Sequence, residues 1–532
     1  MANGGRRSLV GIDLGTTQSV IAHLDATGIV STIPNREGDM LTASAIYLDG
    51  NQALVGNAAK QAASHTPDKV ATFIKRDMGR ALYSRAVDGR QFRPETLSAI
   101  ILRKLKQDAE RRIPPIGKAV ITVPAYFDDA RRKATEDAAR IAGFDSIEII
   151  NEPTAAAIAY CLEGQLSRDG SVASPDFPDG KLTALVYDLG GGTFDVTAIR
   201  LESKRIDTLA TDGAVKLGGK DWDDRIVQYV VRQFAERYGV KIPEDRQQAI
   251  ANHAESTKKL LTDLPSAPVE CFYQDHALRL TLTRAEFEEM TRDLIVQTDV
   301  ITNSVVSKSV FQGQQLGWKD FNRVLLVGGS TRMPMVKKTL QQISGKEPDD
   351  SPDPDQVVAR GAAIFAAIKA ARGIESDLTV EDSLQQELQD IDVIDVNAHS
   401  LGIAVKHPKT KEPMTAVLIP KNRQLPFAMS KVFHLTEQGA TAVRVQVLEG
   451  EAPDPFSNIL LGEVRVTGLP PNLPKRAPVQ VRLAYNPNGR VSVMALDMTG
   501  GRFAHAEIER KSGLTDADIE REAEFVRSLK IQ

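Results

Sequence analysis

Residues 9–19 read LVGIDLGTTQS, an apolar strand that ends in a carboxylate, a glycine and two hydroxyl side chains. The same order of Asp, Gly and Thr returns in ALVYDLGGGTFDV, residues 184–196. The two copies lie too far apart for a solenoid repeat, and their separation fits the two halves of one large domain. A glycine backbone lets N–H groups approach phosphate oxygens where a Cβ would obstruct them. Each turn is therefore a candidate phosphate loop.

A third element, RVLLVGGSTRMP from Arg323, is an apolar strand followed by glycines and a helix, which offers a helix N-terminus to an anion or ribose. The carboxylates of Asp13 and Asp188 would repel a phosphate. A divalent cation bound between carboxylate and phosphate would remove that repulsion. Mg²⁺ keeps several waters and touches few carboxylates, so we predict that Asp13 and Asp188 hold it through water. For either turn alone, a plain connection between two strands explains the glycines equally well.

Composition excludes several classes of protein. The chain has 532 residues, enough for several domains, and its formal net charge of −4 argues against a nucleic-acid binder that works by neutralising phosphates. Its two cysteines, Cys161 and Cys271, exclude a disulfide framework and suit a reducing cytoplasm. The sequence has no signal-peptide pattern and no apolar run long enough to span a membrane. We therefore expect a cytoplasmic protein with no membrane or nucleic-acid partner.

The pattern of elements divides the chain into four parts. Residues 1–373 alternate short apolar strands with longer helical patterns, which indicates an α/β domain. Residues 374–396 are acidic and are interpreted as a linker, and residues 397–510 show the period-two alternation of a half-buried β-sandwich. Residues 511–532 predict one short helix, which Thr515 and Asp518 cap.

The two phosphate loops and the third element together resemble the actin-like ATPase superfamily. Further motifs, namely TVPAYFDDARRKAT from Thr122, IINEPTAAAIAY from Ile149 and LGGKDWDDR from Leu217, resemble the DnaK-type seventy-kilodalton heat-shock chaperone family. The similarity runs from about Val10 to Leu529. It implies an α/β two-lobed actin-like ATPase domain with a duplicated mixed sheet and flanking helices, followed by an all-β sandwich and a short C-terminal helix.

The resemblance also implies a function and assigns residues to it. The protein would be an ATP-dependent chaperone that binds extended or unfolded polypeptide, with Mg-ATP hydrolysis controlling peptide affinity. Lys75, in FIKRDMGR, would reach the γ-phosphate and orient the attacking water, which Thr193 and Asp195 help to position. Glu152 would contact the water shell of the metal. Without the motif around it, a lone lysine such as Lys75 is more often a solvated surface residue.

The implied contacts to ATP or ADP fall into two groups. The phosphates would be held by Gly15, Thr16, Thr17, Gly190, Gly191 and Gly192. The adenosine side would be formed by Glu255, Lys258, Lys259, Thr262, Gly328, Gly329, Ser330, Arg332 and Asp355. Lys259 stands where the family usually has an arginine that stacks on the base. Because lysine lacks a planar face, we expect weaker adenine affinity.

Communication between the domains is implied at Pro124 and Arg132, which match the family's proline switch and relay arginine. A proline after a β run is, however, also an ordinary strand terminator. The usual apolar linker is replaced by Ile391–Asp395, IDVID. An unpaired charge is costly to desolvate, so the aspartates are expected to weaken docking of the linker into an apolar groove.

The resemblance places a peptide site in the β-domain. The pocket and cleft positions are Ile403, Phe433, Val443 and Val445, whereas Thr436 replaces a small arch residue and Lys406 and Arg490 replace apolar residues. Without the family, the apolar members are better explained as sandwich core. The two basic residues predict a preference for acidic or polar peptides. The single helix that follows suggests a truncated lid and hence fast peptide exchange.

Two other functions stay open. An ATP-sensing regulatory or adaptor protein of the same superfamily would keep the nucleotide cleft without using hydrolysis. A metabolite kinase is disfavoured, because such an enzyme has no need of the β-domain. As a chaperone, the chain would be a monomer whose partners are unfolded or extended polypeptides, a J-domain co-chaperone and a nucleotide exchange factor.

Overall fold

The computed structural model describes residues 7–166, 180–351, 353–373, 382–407, 409–435, 438–439, 442–467, 469, 471–487, 489–499, 501–504, 509–510 and 513–532. The first half of the α/β domain contains β1 (Ser8–Leu14), β2 (Gln18–Leu24), β3 (Val30–Thr32), β4 (Thr42–Ala43), β5 (Ile46–Asp49), β6 (Gln52–Val55), α1 (Asn57–Ala62), β7 (Val70–Ala71), α2 (Pro94–Ala109), β8 (Ile116–Val123), α3 (Asp129–Ala142), β9 (Ser146–Asn151) and α4 (Glu152–Leu166). Its six-stranded sheet runs β3-β2-β1-β8-β9, with β4 paired to β2. We call this unit lobe I.

The second half repeats the same plan and is called lobe II. It contains β10 (Lys181–Leu189), β11 (Phe194–Glu202), β12 (Arg205–Ala214), α5 (Gly219–Tyr238), α6 (Gln248–Asp263), β13 (Ser266–Tyr273), β14 (His276–Thr283), α7 (Arg284–Met290), α8 (Arg292–Lys308), β15 (Val310–Phe311), β16 (Gln314–Gln315), β17 (Arg323–Val327), α9 (Pro334–Ser344), α10 (Val357–Arg372) and α11 (Asp382–Gln389). In lobe I, β1 pairs antiparallel with β2 and parallel with β8. In lobe II, β10 pairs antiparallel with β11 and parallel with β17. The predicted duplication of a mixed sheet is confirmed.

Helices α4 and α10 pack against each other between the two sheets. Their contact faces are rich in buried alanine, which allows the backbones to approach closely. A Cβ on Gly361 of α10 would lie 1.7 Å from the carbonyl oxygen of Ala155 in α4, so no other residue fits there. This tight contact fixes the hinge side of the cleft that separates the lobes.

The linker differs from its prediction in two ways. Within the predicted range, residues 374–381 lie outside the described residues, and the following segment folds into α11, whose Leu384 and Leu388 are buried in the core between the lobes. Strand β18 (Asp392–Ile394) then pairs in parallel with β12, at the edge of the lobe II sheet. The linker is therefore docked, and its aspartates are not the unpaired charges that the expected weakening of docking assumed. Asp392 pairs with Arg372 at 3.3 Å, and Asp395 has two hydrogen-bond donors of its own.

The β-sandwich consists of β19 (Leu401–Lys406), β20 (Pro413–Ile419), β21 (Phe427–His434), β22 (Ala442–Glu449), β23 (Ile459–Thr467), β24 (Pro478–Tyr485), β25 (Val491–Asp497), β26 (Arg502–Ala504) and β27 (Glu509–Arg510). One sheet has the order β20-β19-β22-β23-β27 and the other β21-β24-β25-β26. Alternate residues of both sheets, such as Val445, Val447, Val481 and Leu483, share one buried core. The all-β prediction from period-two alternation is confirmed.

The chain ends with α12 (Asp516–Ser528) and β28 (Lys530–Ile531). The predicted capping box is present, because Thr515 Oγ1 accepts from the Asp518 backbone and the Asp518 carboxylate accepts in return. Helix α12 packs against α2 and α3 of lobe I. Its apolar face, including Ile519 and Val526, joins the lobe I core, where burial of each such side chain is worth roughly 1.5–3 kcal/mol. Among the described helices, none combines the length and apolarity needed to cross a bilayer.

Candidate active site

The two predicted phosphate loops face each other across the cleft between the lobes. They are the β1–β2 and β10–β11 hairpin turns, and they lie at opposite walls of one cavity of about 430 Å³. The cavity brings together most of the predicted site residues, namely Asp13, Gly15, Thr16, Thr17, Lys75, Glu152, Asp188, Gly190, Gly191, Thr193, Glu255, Lys258, Lys259, Thr262, Gly328, Gly329, Ser330, Arg332 and Asp355. Gly192 and Asp195 are not among the residues that line this cavity.

The loops approach each other too closely to admit extra side-chain atoms. A Cβ on Gly191 would lie 2.3 Å from Thr17 Oγ1, and one on Gly192 would lie 2.4 Å from Thr16 Cγ2. Glycine at both positions therefore leaves the backbone N–H groups of one lobe opposite the hydroxyl groups of the other. Such an arrangement of N–H and O–H donors is suited to phosphate oxygens.

Lys75 and Glu152 form a buried ion pair at the base of the cavity. Lys75 lies on the short 3₁₀ turn Ile74–Asp77, and its ammonium contacts Glu152 Oε1, with both side chains less than 10 % exposed. Burial opposes the charged lysine, but the attraction of Glu152, Asp13 and Asp188 outweighs it and raises the pKa of Lys75. The ammonium is therefore held in its charged form and faces the cavity.

Several buried carboxylates surround that lysine. Burial and the charge of Glu152 raise the pKa of Asp13 to about 7, and burial followed by the charges of Glu152, Asp195 and Asp13 raises the pKa of Asp188 well above its usual range. Thr122 Oγ1 donates to Asp13 at 3.1 Å. Buried carboxylates that repel one another favour the binding of a positive charge. Their oxygens are also the hard donors that a divalent cation such as Mg²⁺ prefers. In the described residues, no three metal-ligating side chains converge closely enough to hold an ion alone.

Asp195 is fixed by a residue that the sequence did not single out. The backbone N–H of Tyr126, in the loop after β8, donates to Asp195 Oδ1 at 2.9 Å. Burial raises the pKa of Asp195 to about 6, although this backbone bond and the charge of Lys75 oppose the shift. The carboxylate is thus oriented toward the Lys75 side of the cleft by a hydrogen bond from lobe I.

The predicted adenosine side is built from ion pairs between neighbouring helices. Lys258 contacts Asp223 at 2.9 Å and donates to the carbonyl of Gly219 at 2.9 Å, and Arg332 pairs with Asp355 at 2.8 Å. Ser330 Oγ donates to the carbonyl of Gly190 at 3.0 Å, which ties the third element to the second phosphate loop. Asp223 and Gly219 belong to the motif LGGKDWDDR, which was identified in the sequence, although neither residue was assigned a role there.

Glu255 closes the mouth of the cleft. It pairs with Lys259 of its own helix at 2.8 Å and with Lys60 of lobe I at 2.6 Å. Burial raises the pKa of Glu255, but these two lysines outweigh burial and lower it to about 2. Lys259 itself is 66 % exposed, and its ammonium is directed to Glu255.

Arg132 lies where the linker meets lobe I, and Pro124 belongs to the loop just before its helix. Pro124 follows β8 and its carbonyl accepts from the Phe127 N–H at 3.0 Å. The Arg132 guanidinium donates to Asn151 Oδ1 at 2.6 Å, and Asn151 Nδ2 donates to Asp395 Oδ2 at 2.6 Å. Asn151, part of the quoted motif IINEPTAAAIAY, was not predicted as a site residue. It connects Arg132 to the linker and directly precedes Glu152.

The predicted peptide-binding residues do not form one exposed pocket. Ile403 and Val445 are buried in the sandwich core, Phe433 packs against that core, and Lys406 is exposed at the end of β19. The Val443 backbone pairs with Val466, and Thr436 lies outside the described residues. The interpretation as sandwich core therefore describes Ile403 and Val445 in this conformation.

Arg490 requires a correction. Its guanidinium contacts Asp129 at 3.3 Å and Glu136 at 3.6 Å, both on α3 of lobe I, and its side chain is only 12 % exposed. The expected position among peptide contacts is wrong for this structure, because the β24–β25 turn carries Arg490 onto the ATPase domain. Beside it, Glu449 accepts from the Asp129 backbone at 3.1 Å and from Tyr485 at 3.2 Å. These residues form part of an interdomain contact.

Comparison with known proteins agrees with the cleft and the sandwich. The family model described as Hsp70 protein matches residues 9–529. The chain is 38% identical over 536 residues to the "Chaperone protein DnaK" of Thermotoga neapolitana, covering 98% of this chain and 84% of that protein. It is also 38% identical to the DnaK proteins of Thermosipho melanesiensis, over 98% of this chain and 84% of the relative, and Thermosipho africanus, over 100% and 85%. The chain belongs to the Hsp70 family and is an ATP-binding ATPase and ATP-dependent chaperone for unfolded polypeptides.

Proposed function

We propose that the interlobe cleft hydrolyses ATP with Lys75 as the residue that orients the attacking water and stabilises charge on the γ-phosphate. The supporting observation is the buried Lys75–Glu152 pair, which faces the glycine loops of both lobes. A fixed ammonium in a buried site stabilises developing negative charge more strongly than one in water. Phosphoryl transfer depends mainly on positioning and on such electrostatic stabilisation.

The other polar groups have separate roles. Thr193 lines the cavity beside Lys75, and Asp195 is held behind it by the Tyr126 N–H, so together they would position the water. Glu152 holds Lys75 in place and would accept from the water shell of a bound cation. The hydroxyl groups of Thr16 and Thr17 and the backbone at Gly190–Gly192 would bind the phosphates.

The residues present fit Mg²⁺. Asp13 and Asp188 would hold the cation through water, because both carboxylates line the cavity and both have a pKa raised by burial and by the charge of Glu152, so an added positive charge would favour their ionised forms. When bound, Mg²⁺ neutralises charge on the phosphate oxygens. The fit rests on hard oxygen donors and on their setting, since both carboxylates and glycines of both loops line the same cavity.

Peptide binding in the sandwich would respond to the cleft through the linker. Asp395 is hydrogen-bonded to Asn151, and the next residue of the chain, Glu152, contacts the catalytic lysine. A change at Lys75 during hydrolysis would thus reach Asp395, directly after β18, through the two adjacent residues Glu152 and Asn151. We propose that Ile403, Phe433, Val443 and Val445 contact an extended peptide when the sandwich opens, and that Lys406 favours acidic or polar peptides.

The remaining assignments are also proposals. A J-domain co-chaperone and a nucleotide exchange factor would act on this protein, as the resemblance implies, and the chain would work as a monomer. Both cysteines are buried and unpaired in the structure, which suits a cytoplasmic protein.

Single-turnover hydrolysis of bound ATP, with and without an unfolded polypeptide, tests the proposal. We expect Lys75→Ala to lower the rate of hydrolysis by a factor on the order of 10²–10³ while ATP still binds, as for removal of a preorganised electrostatic group. Lys319→Ala, on an exposed lysine of lobe II, serves as the control and should leave the rate unchanged. Equal rates in the two variants would show that Lys75 does not carry hydrolysis, whereas ATP binding without turnover in the wild type would instead favour an ATP-sensing protein.

A further inference from the structure

A second cavity, which we call the side chamber, adjoins the nucleotide cavity at the phosphate loops. Its volume is about 460 Å³, similar to the nucleotide cavity at about 430 Å³. Thr16 and Thr17 of the first phosphate loop line both cavities, so this loop forms part of the wall between them. The rest of the chamber lies beyond the nucleotide cavity, and its lining includes Arg76, Tyr83, Ser84, Arg85 and Lys216.

One side chain from each lobe completes the wall between the two cavities. Phe73 of lobe I and Lys220 of lobe II line both, and the Lys220 ammonium lies 5.2 Å from the centre of the Phe73 ring. Lys220 also pairs with Asp224 at 2.6 Å. Both contacts are weak at partly exposed side chains, so movement of Lys220 opens the wall at little cost. Phe73 has a φ of 56°, which bulky residues rarely adopt, and directly precedes the turn that carries Lys75.

The side chamber has a local excess of positive charge. Two basic residues of its lining, Arg85 of lobe I and Lys216 of lobe II, are exposed and form no ion pair within the described ranges of the chain. Arg85 is held by the carbonyl of Val70, to which its Nη2 donates at 3.1 Å. The chamber therefore favours a small anion over a cation, because each of its four carboxylates already contacts a cation, namely Asp77 with Arg80, Asp223 with Lys258, Asp224 with Lys220 and Glu255 with Lys60.

A phosphate ion matches this lining. Guanidinium and ammonium groups form strong, charge-assisted hydrogen bonds to phosphate oxygens. Hydroxyl groups add neutral donors, from Thr16 and Thr17 at the loop end of the chamber and from Ser84 next to Arg85. A phosphate that enters from the loops thus meets donors on both sides of the wall.

We propose that the side chamber receives the inorganic phosphate produced by ATP hydrolysis and passes it to solvent while ADP remains in the cleft. Hydrolysis breaks the bond from the γ-phosphorus to the bridging oxygen, forms one to the oxygen of water, and yields ADP, hydrogen phosphate and a proton. Bound ADP occupies the adenosine side of the cleft, so the product leaves past Phe73 and Lys220 instead. This proposal rests on the proposed function and adds the route by which its product departs.

Diffraction from crystals of the full chain with ADP and selenate tests the site without any turnover. Selenate is a tetrahedral dianion like hydrogen phosphate, and its selenium gives an anomalous signal. We expect a selenium peak in the side chamber, in contact with Arg85 or Lys216. A peak only between the phosphate loops, or none, would overturn the proposal. A chain that holds selenate in the chamber but does not hydrolyse ATP would refute the proposed function and leave an anion site that phosphate from solution fills.

Single-turnover kinetics tests whether the product uses this route. Hydrolysis is followed by acid quenching and phosphate release by a fluorescent phosphate-binding sensor, and the delay between the two is compared. The double variant Arg85→Glu with Lys216→Glu should lengthen that delay by about fivefold or more at an unchanged rate of hydrolysis, because the leaving dianion must pass two like charges.

A matched control separates this effect from a general change in charge. Lys319→Glu with Lys338→Glu makes the same charge change at exposed lobe II residues outside both cavities and should leave the delay unchanged. An unchanged or shorter delay in the double variant of the chamber, or an equal lengthening in the control, would overturn the proposal.

Discussion

Asn151 donates a hydrogen bond to Asp395 at 2.6 Å, which joins the end of a lobe I strand to the linker. The residue after Asn151 is Glu152, whose carboxylate pairs with Lys75 in the nucleotide cleft. The linker and Lys75 are thus connected through two adjacent side chains on one backbone. This short connection gives a structural route by which ATP hydrolysis and linker docking affect each other.

Substitution of Asp395 should uncouple peptide binding from ATP turnover. Asp395→Ala leaves Asn151 and Thr154 without their acceptor, and coupling energies of about 1–3 kcal/mol between sites correspond to roughly 5–150-fold effects. We expect the stimulation of ATPase activity by an unfolded polypeptide to decrease by a factor of roughly 5–150. Asp392→Ala, which removes a more exposed carboxylate from the same linker, is the matched control. Equal stimulation in both variants would show that the Asn151 contact does not couple the domains.

Removal of the Lys75 ammonium should also destabilise the ATPase domain. Lys75→Ala leaves Glu152 buried without its partner, and breaking a buried pair typically costs about 3–5 kcal/mol. Adding Glu152→Gln removes the uncompensated charge and should restore part of the lost stability. Urea unfolding of the single and double variants measures both effects. If the single variant is as stable as the wild type, Glu152 is not held by Lys75 in solution.

A methyl group on the second phosphate loop should impair nucleotide binding. The Cβ of Gly191→Ala would lie 2.3 Å from Thr17 Oγ1, so the loops must separate. We expect ATP affinity to fall by about tenfold or more, equivalent to 1.4 kcal/mol or more. Gly317→Ala is a suitable control, because its Cβ would meet no atom within 4 Å. Calorimetric titration with ATP compares the two, and equal affinities would refute the phosphate-loop assignment.

The interdomain contact at Glu449 predicts a dependence of stability on pH. Burial, followed by the charges of Asp128 and Asp129, raises the pKa of Glu449 to about 8. The folded protein therefore binds this proton more tightly than the unfolded chain does. Its stabilising contribution is complete below the ordinary carboxyl pKa and is lost as pH rises toward 8, at roughly 1.4 kcal/mol per pH unit at most.

Melting temperatures of the wild type and of Glu449→Gln between pH 6.5 and 9 measure this effect. We expect the wild type to lose stability relative to the variant up to about pH 8 and then to level off. The range avoids His399, whose pKa is lowered by burial and which titrates below it. Glu520→Gln, at an exposed position of α12, should show no such difference. A constant difference across the range would contradict a buried proton on Glu449.

Local pattern was sufficient to predict the cleft but not the interdomain contacts. Asp13 and Asp188 could be predicted because each follows an apolar strand and precedes a glycine turn within a few residues. Asp395 was misjudged because its partners, Asn151 and Thr154, lie more than two hundred residues upstream, where no local pattern links them to the linker. The position of Arg490 against α3 was missed for the same reason.

The last helix shows the same limit. The helical spacing of apolar residues such as Ile519 and Val526 predicts one buried face of α12, but it cannot specify whether that face packs on the sandwich or on lobe I. The acidic composition of residues 374–396 suggested an extended linker, although Leu384 and Leu388 at helical spacing bury one face of α11. Tertiary packing determines where both segments, α11 and α12, lie in the fold.

The central claim is that the carboxylates of Asp13 and Asp188, one from each lobe, share a hydrated divalent cation with a bound nucleotide. Anomalous diffraction from crystals grown with ADP and Mn²⁺ in place of Mg²⁺ tests it most directly. We predict one strong Mn²⁺ peak between the two carboxylates, separated from each by a single water and in contact with the nucleotide phosphate. A nucleotide bound with its metal elsewhere, or a peak remote from both aspartates, would contradict the account.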